Sequence, residues 1–205
     1  MPKSRTEAFS DGVFAIAITL LIIEVRVPDS KSGELARDLA NQWPSYAAYL
    51  VSFVIIGIIW VNHHDIFERI TTVDRPLLFL NLLLLLTVAF LPFPTALLGQ
   101  YIRQGDNAHI AAAVYGANMT LIGLAFIAVW TYLARVPSLL EPEMGADGAR
   151  RARRASVIGP VVYGLSIPLA FVSPVACLIV YAAMALYFAI AFTVARHADG
   201  VTNNR

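Results

Sequence analysis

The stretch RTEAFSDGVFAIAITLLIIEVRV, residues Arg5–Val27, decides the fold because a polar start leads into a long apolar body. A Ser-x-x-Glu capping-box pattern beginning at Ser4 opens the helix, and Pro28 ends it because proline lacks an amide hydrogen. The only polar side chain over residues 12–23 is that of Thr19. The stretch therefore predicts a first membrane-spanning helix over about 5–27, with a polar root and an apolar body.

The periodicity of this helix separates the apolar body from the polar root. Successive residues turn by about 100°, so one face carries Gly12, Ile16, Leu20, Ile23 and Val27. Thr19 lies on the flank of that face, and Ile22 lies on the opposite side of an ideal helix. Ser10 and Asp11 point away from the apolar face. Such a face either packs against lipid and neighbouring helices or, where several copies meet, lines a pore.

Composition indicates an integral membrane protein. Of the 205 residues, 58% are hydrophobic and 14% are charged, whereas a soluble domain carries about a quarter charged residues. The sequence predicts a single all-α domain over 1–205 with six transmembrane helices, at about 5–27, 45–62, 77–91, 110–133, 157–172 and 175–195. No cleavable signal peptide is expected, because Ser10 and Asp11 interrupt the early apolar region. Cys177 is the single cysteine, so we expect neither a disulfide framework nor a cysteine metal site.

The distribution of Lys and Arg predicts the orientation of the helices. Six spans place both termini on one side, and that side carries eleven basic residues: Lys3, Arg5, Arg69, Arg75, Arg135, Arg150, Arg151, Arg153, Arg154, Arg196 and Arg205. The other side carries four: Arg26, Lys31, Arg37 and Arg103. Both termini are therefore predicted to be cytoplasmic. The basic cluster over 150–154 contributes most to this bias, and contact with anionic lipid head groups is a second interpretation of it.

Polar side chains within the predicted spans gather at one depth near the cytoplasmic side. They are Ser10, Asp11, Trp60, Asn62, His63, His64 and Asn81. Because an unpaired polar group is costly in a membrane, we expect a hydrogen-bonded structural network. Adjacent histidines point about 100° apart on a helix, so this pair does not chelate a metal, although a pH-sensitive role stays open. No catalytic motif is present, and we expect neither an enzyme nor a resident metal or cofactor.

Several of these residues form short motifs. Arg5, Phe9, Ser10 and Asp11 make the pattern R-x-x-x-F-S-D at the start of the first helix. Three further segments follow in the second and third helices: Trp60-Val61-Asn62-His63-His64, Asn81-Leu82-Leu83 and Leu91-Pro92-Phe93-Pro94. Through these motifs the first three helices resemble the transmembrane protein 175 family of lysosomal and prokaryotic potassium channels. Helices four to six agree with that family only in number and hydrophobicity.

The resemblance implies a homotetramer of six-helix units in a prokaryotic plasma membrane. Its first helices line a central pore, with no re-entrant filter loop and with K⁺ as the permeant ion. In the family the narrowest ring is apolar and lies five residues after the motif aspartate, which places it at Ile16. Further apolar rings fall at Leu20 and Ile23, and a threonine that contributes to potassium selectivity falls at Thr19. The residues expected to hold the first helix in place are Arg5, Phe9, Ser10, Asp11, Trp60, His63, His64 and Asn81.

The expected function is therefore that of a potassium-permeable cation channel with a hydrophobic constriction. A narrow apolar ring blocks ions because water leaves it and an ion sheds its hydration there only at high cost. One alternative is a proton-coupled transporter or proton leak pathway, with Asp11 and His63 as a relay. A membrane scaffold without ion flux is a third possibility. The net charge of +1 indicates no nucleic-acid partner, so the expected partners are further copies of the chain, lipid and potassium ions.

Overall fold

The described part of the chain is mostly helical, as a computed structural model shows for residues 3–202, with side chains described for residues 3–190. The α-helices are α1 Lys3–Leu20, α2 Leu35–Asn41, α3 Trp43–Glu68, α4 Arg75–Phe90, α5 Pro92–Tyr101, α6 Asp106–Arg135, α7 Gly145–Ala155, α8 Ile158–Ala170 and α9 Pro174–Thr202. No β-strand occurs in residues 3–202, so the predicted all-α fold class is confirmed. Two arginines counted in the charge bias are not covered, because the Arg196 side chain and the whole of Arg205 lie outside the described residues.

Four helical stretches in the described chain are long and apolar enough to cross a membrane. They are Lys3–Glu24, Trp43–Glu68, Arg75–Tyr101 and Asp106–Arg135. The apolar part of α9, Pro174–Ile190, is shorter. The 13 residues of α8 give about 20 Å of helix, less than the bilayer core of about 30 Å. The count of six spans therefore stays a prediction.

The first helix ends earlier than predicted. α1 stops at Leu20, and Leu21–Glu24 form a turn of 3-10 helix before the chain becomes extended at Val25. The predicted helix end at Val27 is therefore wrong. The reason is tertiary packing, because the 3-10 turn contacts α3 and α5 and directs the Leu21 side chain into the core, where it is fully buried.

The second helix is longer than predicted. α3 continues past the expected end at Asn62 as far as Glu68, so both adjacent histidines lie inside it rather than at the start of a loop. Apolar packing explains the extension: Ile66 and Phe67 are buried in a cluster with residues of α4 and α6, including Leu77. The segment after Asn62 is charged, but it is also amphipathic. It continues the helix because its apolar face packs against the core.

Later segments also contain more helix than predicted. α4 ends at Phe90, and α5 begins directly at Pro92, because a proline is tolerated in the first turn of a helix. The segment 137–154, predicted as a loop, contains α7, which packs against α6 through the buried Gly148 and Ala149. The predicted limits of α6 and α8 differ from the observed ones by up to four residues, and α9 continues to Thr202, beyond its predicted end at 195.

The central helix of the fold is α6, which packs against α4, α5, α7 and α8. Two glycines allow α8 to approach it closely. A Cβ atom at Gly116 would lie 2.7 Å from Ser166 Oγ, and one at Gly123 would lie 2.6 Å from Pro160 Cδ. By comparison, α1 lies at the edge of the bundle and packs mainly against α3 and α4. One side of α1 is therefore anchored and the other side is uncovered.

Candidate functional site

A chain of hydrogen bonds ties the start of α1 to α3 and α4. His63 Nε2 donates to Asn81 Oδ1 at 2.8 Å, and Asn81 Nδ2 donates to Ser10 Oγ at 3.0 Å. Ser10 Oγ in turn donates to the carbonyl oxygen of Thr6 at 2.8 Å. All four residues are buried, and we call them the buried chain. Because each donor points the same way, the chain holds three helices in one register.

The ring of His63 is also fixed by its apolar neighbours. It stacks on Phe67 with 4.4 Å between ring centroids and meets Phe14 edge-on at 5.2 Å. With Nε2 as the donor, Nδ1 is the acceptor nitrogen, and it has no hydrogen-bond partner among the described residues. Two aromatic contacts and one hydrogen bond within the subunit thus fix the orientation of this ring.

A second group of polar contacts surrounds the buried chain at a more exposed level. Trp60 Nε1 donates to Asp11 Oδ1 at 2.9 Å. The ring of His64 stacks against Trp60, and its Nδ1 lies 3.2 Å from Glu7 Oε1. Its Nε2 lies 3.4 Å from Glu68 Oε1. We call these five residues the rim. Because they are partly solvent-accessible, each contact is expected to contribute less than one in the buried chain.

The structure divides the predicted polar network into these two parts. Ser10, His63 and Asn81 lie in the buried chain, and Asp11, Trp60 and His64 lie in the rim. Arg5 and Phe9 are exposed and join neither part. Asp11 and His63, the residues of the alternative proton relay, share no hydrogen bond in the described structure.

Three residues of the site were missed by sequence reasoning. Thr6 supplies the final acceptor of the buried chain, and Glu7 and Glu68 both pair with His64 in the rim. The signal was present, because residues three and four apart lie on one face of a helix, and Glu7 stands three before Ser10 and four before Asp11. That spacing places these polar residues on the side of α1 that meets α3 and α4.

The other side of α1 carries an uncovered apolar stripe. Its members are Gly12, Ile16, Thr19, Leu20 and Ile23, which are all exposed, Ile16 by 61%. We call this set the α1 stripe. The 3-10 turn keeps Ile23 in line with Leu20, because residues three apart eclipse one another in a 3-10 helix.

Burial distinguishes the two residues that follow Leu20. Leu21 is fully buried, four residues after the buried Ala17 and therefore on the same face of the helix. The Ile22 side chain is 53% exposed, so Ile22 does not pack into the core of its own subunit. The expectation that Ile22 lies opposite the apolar face stays a prediction.

Thr19 is the polar member of the α1 stripe. Its Oγ1 lies 2.8 Å from the carbonyl oxygen of Ala15 and 2.9 Å from that of Ile16. The hydroxyl hydrogen is therefore donated into the helix, and the oxygen lone pairs are left for the exposed side. No group of three or more His, Cys, Asp or Glu side chains suited to a metal ion occurs in the described part of the chain.

Comparisons with known proteins agree on one family. A family profile described as endosomal/lysosomal potassium channel TMEM175 matches residues 5–92. A protein of Streptomyces collinus that is named a potassium channel is 50% identical over 91% of each chain. The crystal structure of a lysosomal potassium-selective channel TMEM175 homolog from Chamaesiphon minutus matches with a TM-score of 0.82 and 38% identity, over 92% of this chain and 97% of that one. The endosomal/lysosomal proton channel TMEM175 of Gallus gallus is 36% identical over 64% of this chain and 28% of its own length.

The fold and the site define a class: an all-α, multi-pass membrane protein whose first helix is anchored on one side by buried polar contacts and uncovered on the other. The comparisons with relatives identify the family within this class. The chain belongs to the TMEM175 family, a family of ion channels rather than enzymes.

The buried chain generates a stability prediction. Asn81→Ala removes its central member, which leaves His63 Nε2 without its acceptor and Ser10 Oγ without its donor, so it should lower the free energy of unfolding by roughly 1–3 kcal/mol. Asp11→Ala should cost less, because Asp11 accepts from the partly exposed Trp60. The measurement is thermal unfolding of the purified protein in detergent.

Asn62→Ala is the matched control for this experiment. Asn62 lies next to His63 on α3, but in the described structure its amide donates to the carbonyl oxygen of Ile58 in its own helix, at 3.0 Å. Its loss should change the free energy of unfolding by less than about 0.5 kcal/mol. A larger loss for Asp11→Ala than for Asn81→Ala would show that the rim, rather than the buried chain, holds α1.

Proposed function

We propose that this protein is a potassium-permeable cation channel in which several copies meet along the α1 stripe. The observation that carries this proposal is the uncovered apolar side of a helix whose polar side is fixed to its own subunit. The Streptomyces collinus relative and the Chamaesiphon minutus structure are both named potassium channels, which supports potassium as the permeant ion. A homotetramer is the assembly that the family resemblance implies.

The gate in this proposal is a hydrophobic constriction of Ile16, Leu20 and Ile23 from each copy. Such rings hold the resting conductance low because a narrow apolar passage loses its water. Slight separation of the helices lets water return, and ions then pass with their hydration. The channel needs no cofactor and no resident metal, since only the permeant ion enters.

Selectivity in this proposal depends on Thr19. Its hydroxyl hydrogen is directed into the helix, which leaves an oxygen dipole on the exposed side, next to the apolar rings. Oxygen ligands replace part of the hydration shell of an alkali cation. Each copy then supplies one such oxygen at the same level of the pore.

Proton conduction is the second candidate function, because the vertebrate relatives are named proton channels. The predicted relay of Asp11 and His63 receives no support from a shared hydrogen bond, since Asp11 accepts from Trp60 and His63 donates to Asn81. Liposome flux separates the two functions. Potassium flux without a pH gradient supports a potassium channel, and flux that requires a proton gradient supports the proton-coupled alternative.

The orientation in this proposal places both termini in the cytoplasm of a prokaryotic cell, in its plasma membrane. The eleven-to-four bias of Lys and Arg is its basis. Cysteines replacing Ser32 and Ser138, two exposed loop residues, provide the test with an impermeant thiol reagent on intact cells. Ser32→Cys should react from outside and Ser138→Cys should not; the reverse pattern would overturn the orientation.

The constriction is tested by placing an amide in it. Ile16→Asn supplies hydrogen-bonding groups that keep the constriction wet, so potassium flux into proteoliposomes should rise about tenfold, equivalent to a barrier lower by about 1.4 kcal/mol. Discrimination between potassium and sodium should fall. Thr19→Val should keep the flux and reduce that discrimination.

The matched control for this experiment is Ile179→Asn. Ile179 lies on α9 and is 64% exposed, close to the 61% of Ile16, but it is not part of the α1 stripe. The same substitution there should leave potassium flux near that of the parent. If Ile179→Asn opens a leak while Ile16→Asn conducts like the parent, the pore face has been assigned to the wrong helix.

A further inference from the structure

A large cavity lies among five helices of the bundle and does not include the α1 stripe. Its volume is about 520 Å³, within the range of roughly 300–1,000 Å³ that is usual for ligand pockets. α3, α6, α7, α8 and α9 form its walls, and none of its described lining residues belongs to α1. The cavity is therefore separate from the proposed pore.

The cavity has an apolar body. Ile55 and Ile59 of α3 face Met119, Ile122 and Phe126 of α6 across it. Along α3 and the C-cap residue that follows it, the lining extends from residue 55 to residue 69, which is about 21 Å at 1.5 Å per residue. One lipid acyl chain spans about half of a bilayer core of roughly 30 Å, so this length accommodates an acyl chain with its head group beyond it.

One end of the cavity is polar and carries more positive than negative charge. Arg69, directly after α3, and Arg151 of α7 line it, together with Asp65 and Ser156. Both arginines are exposed, so the end is open to the surroundings of the bundle. The arginines outnumber the single carboxylate that lines the cavity. An occupant that fits both parts has an apolar tail and an anionic head.

The helix at this end is itself basic. α7 carries four arginines within five residues and packs its small residues Gly148 and Ala149 against α6. Clusters of four or more basic residues on an amphipathic helix at a membrane surface attract anionic head groups. The Arg150 guanidinium is directed elsewhere, because it pairs with Asp147 at 2.5 Å and holds the pKa of that carboxyl below its usual range.

We propose that this cavity binds an anionic phospholipid of the membrane, with an acyl chain between α3, α6 and α8 and its phosphate against Arg69 and Arg151. The two arginines at the polar end favour an anionic lipid over a second copy of the chain. Lipid binding in this cavity does not depend on ion conduction. A test of lipid binding is therefore independent of any test of the proposed channel function.

The test counts bound lipid. The assembled protein is taken from nanodiscs of equal parts phosphatidylglycerol and phosphatidylcholine, and native mass spectrometry measures the ratio of the two lipids retained. The parent should retain phosphatidylglycerol preferentially. Arg151→Gln should lower that preference about fivefold, the effect expected for one basic residue near an anionic surface, and Arg69→Gln should act in the same way.

Arg150→Gln is the matched control for charge, since Arg150 lies next to Arg151 on α7 but does not line the cavity. Gly159→Leu tests the apolar body. Gly159 lines the cavity, where a Cβ atom would meet only Phe188 Cζ at 3.9 Å, so a leucine fills the space and should reduce retention of both lipids. Gly57→Leu is the control for this change, because a Cβ atom added at Gly57 would meet no atom within 4 Å. It should leave retention unchanged.

Three outcomes would overturn the proposal. The parent could retain the two lipids equally, or Arg150→Gln could lower the preference as much as Arg151→Gln does. Gly159→Leu could leave lipid retention unchanged while reducing the mass of the assembly, which would show that a second copy of the chain occupies the cavity.

Discussion

The hydrogen bond between Asn81 and Ser10 is the contact on which the arrangement of the first helix depends. Through Asn81 it links α1 both to α4 and to His63 of α3, inside a core where an unpaired polar group is costly. A purely apolar contact would tolerate rotation of α1 about its axis, whereas a directional chain of donors does not. The buried chain therefore fixes which side of α1 packs inward and which side is uncovered.

This constraint relates the polar root to the proposed pore. Ser10 and Ile16 lie on different sides of the same helix, so anchoring one side presents the other to neighbouring copies. Loss of the anchor would misalign the apolar rings even though none of the anchoring atoms faces the stripe. On the far side of α6, the glycine contacts that bring α8 close coexist with a cavity. The subunit thus offers one face to further copies and, as we propose, another to lipid.

Much of this could be predicted from the sequence, because helix periodicity and the cost of buried polar groups are local rules. They placed Ile16, Leu20 and Thr19 on or beside one face, and they brought Asn81 and His63 to the depth of Ser10. The remainder depends on tertiary contacts. The 3-10 turn after Leu20 follows from its packing against α3 and α5, which buries Leu21. α7 is helical because it has α6 to pack against, which the composition of its loop-like sequence does not reveal.

The central claim is that copies of the chain meet along the α1 stripe. Disulfide cross-linking in the membrane tests it most directly. One cysteine is added to the chain, either in place of Ile16 or in place of the similarly exposed Ile179. The native Cys177 is buried and does not compete for cross-linking. Side chains that converge on one axis lie close enough to bridge, so Ile16→Cys should give covalent dimers under mild oxidation and Ile179→Cys should stay monomeric on a denaturing gel. Efficient cross-linking at residue 179 with none at residue 16 would contradict the account and assign the α1 stripe to lipid.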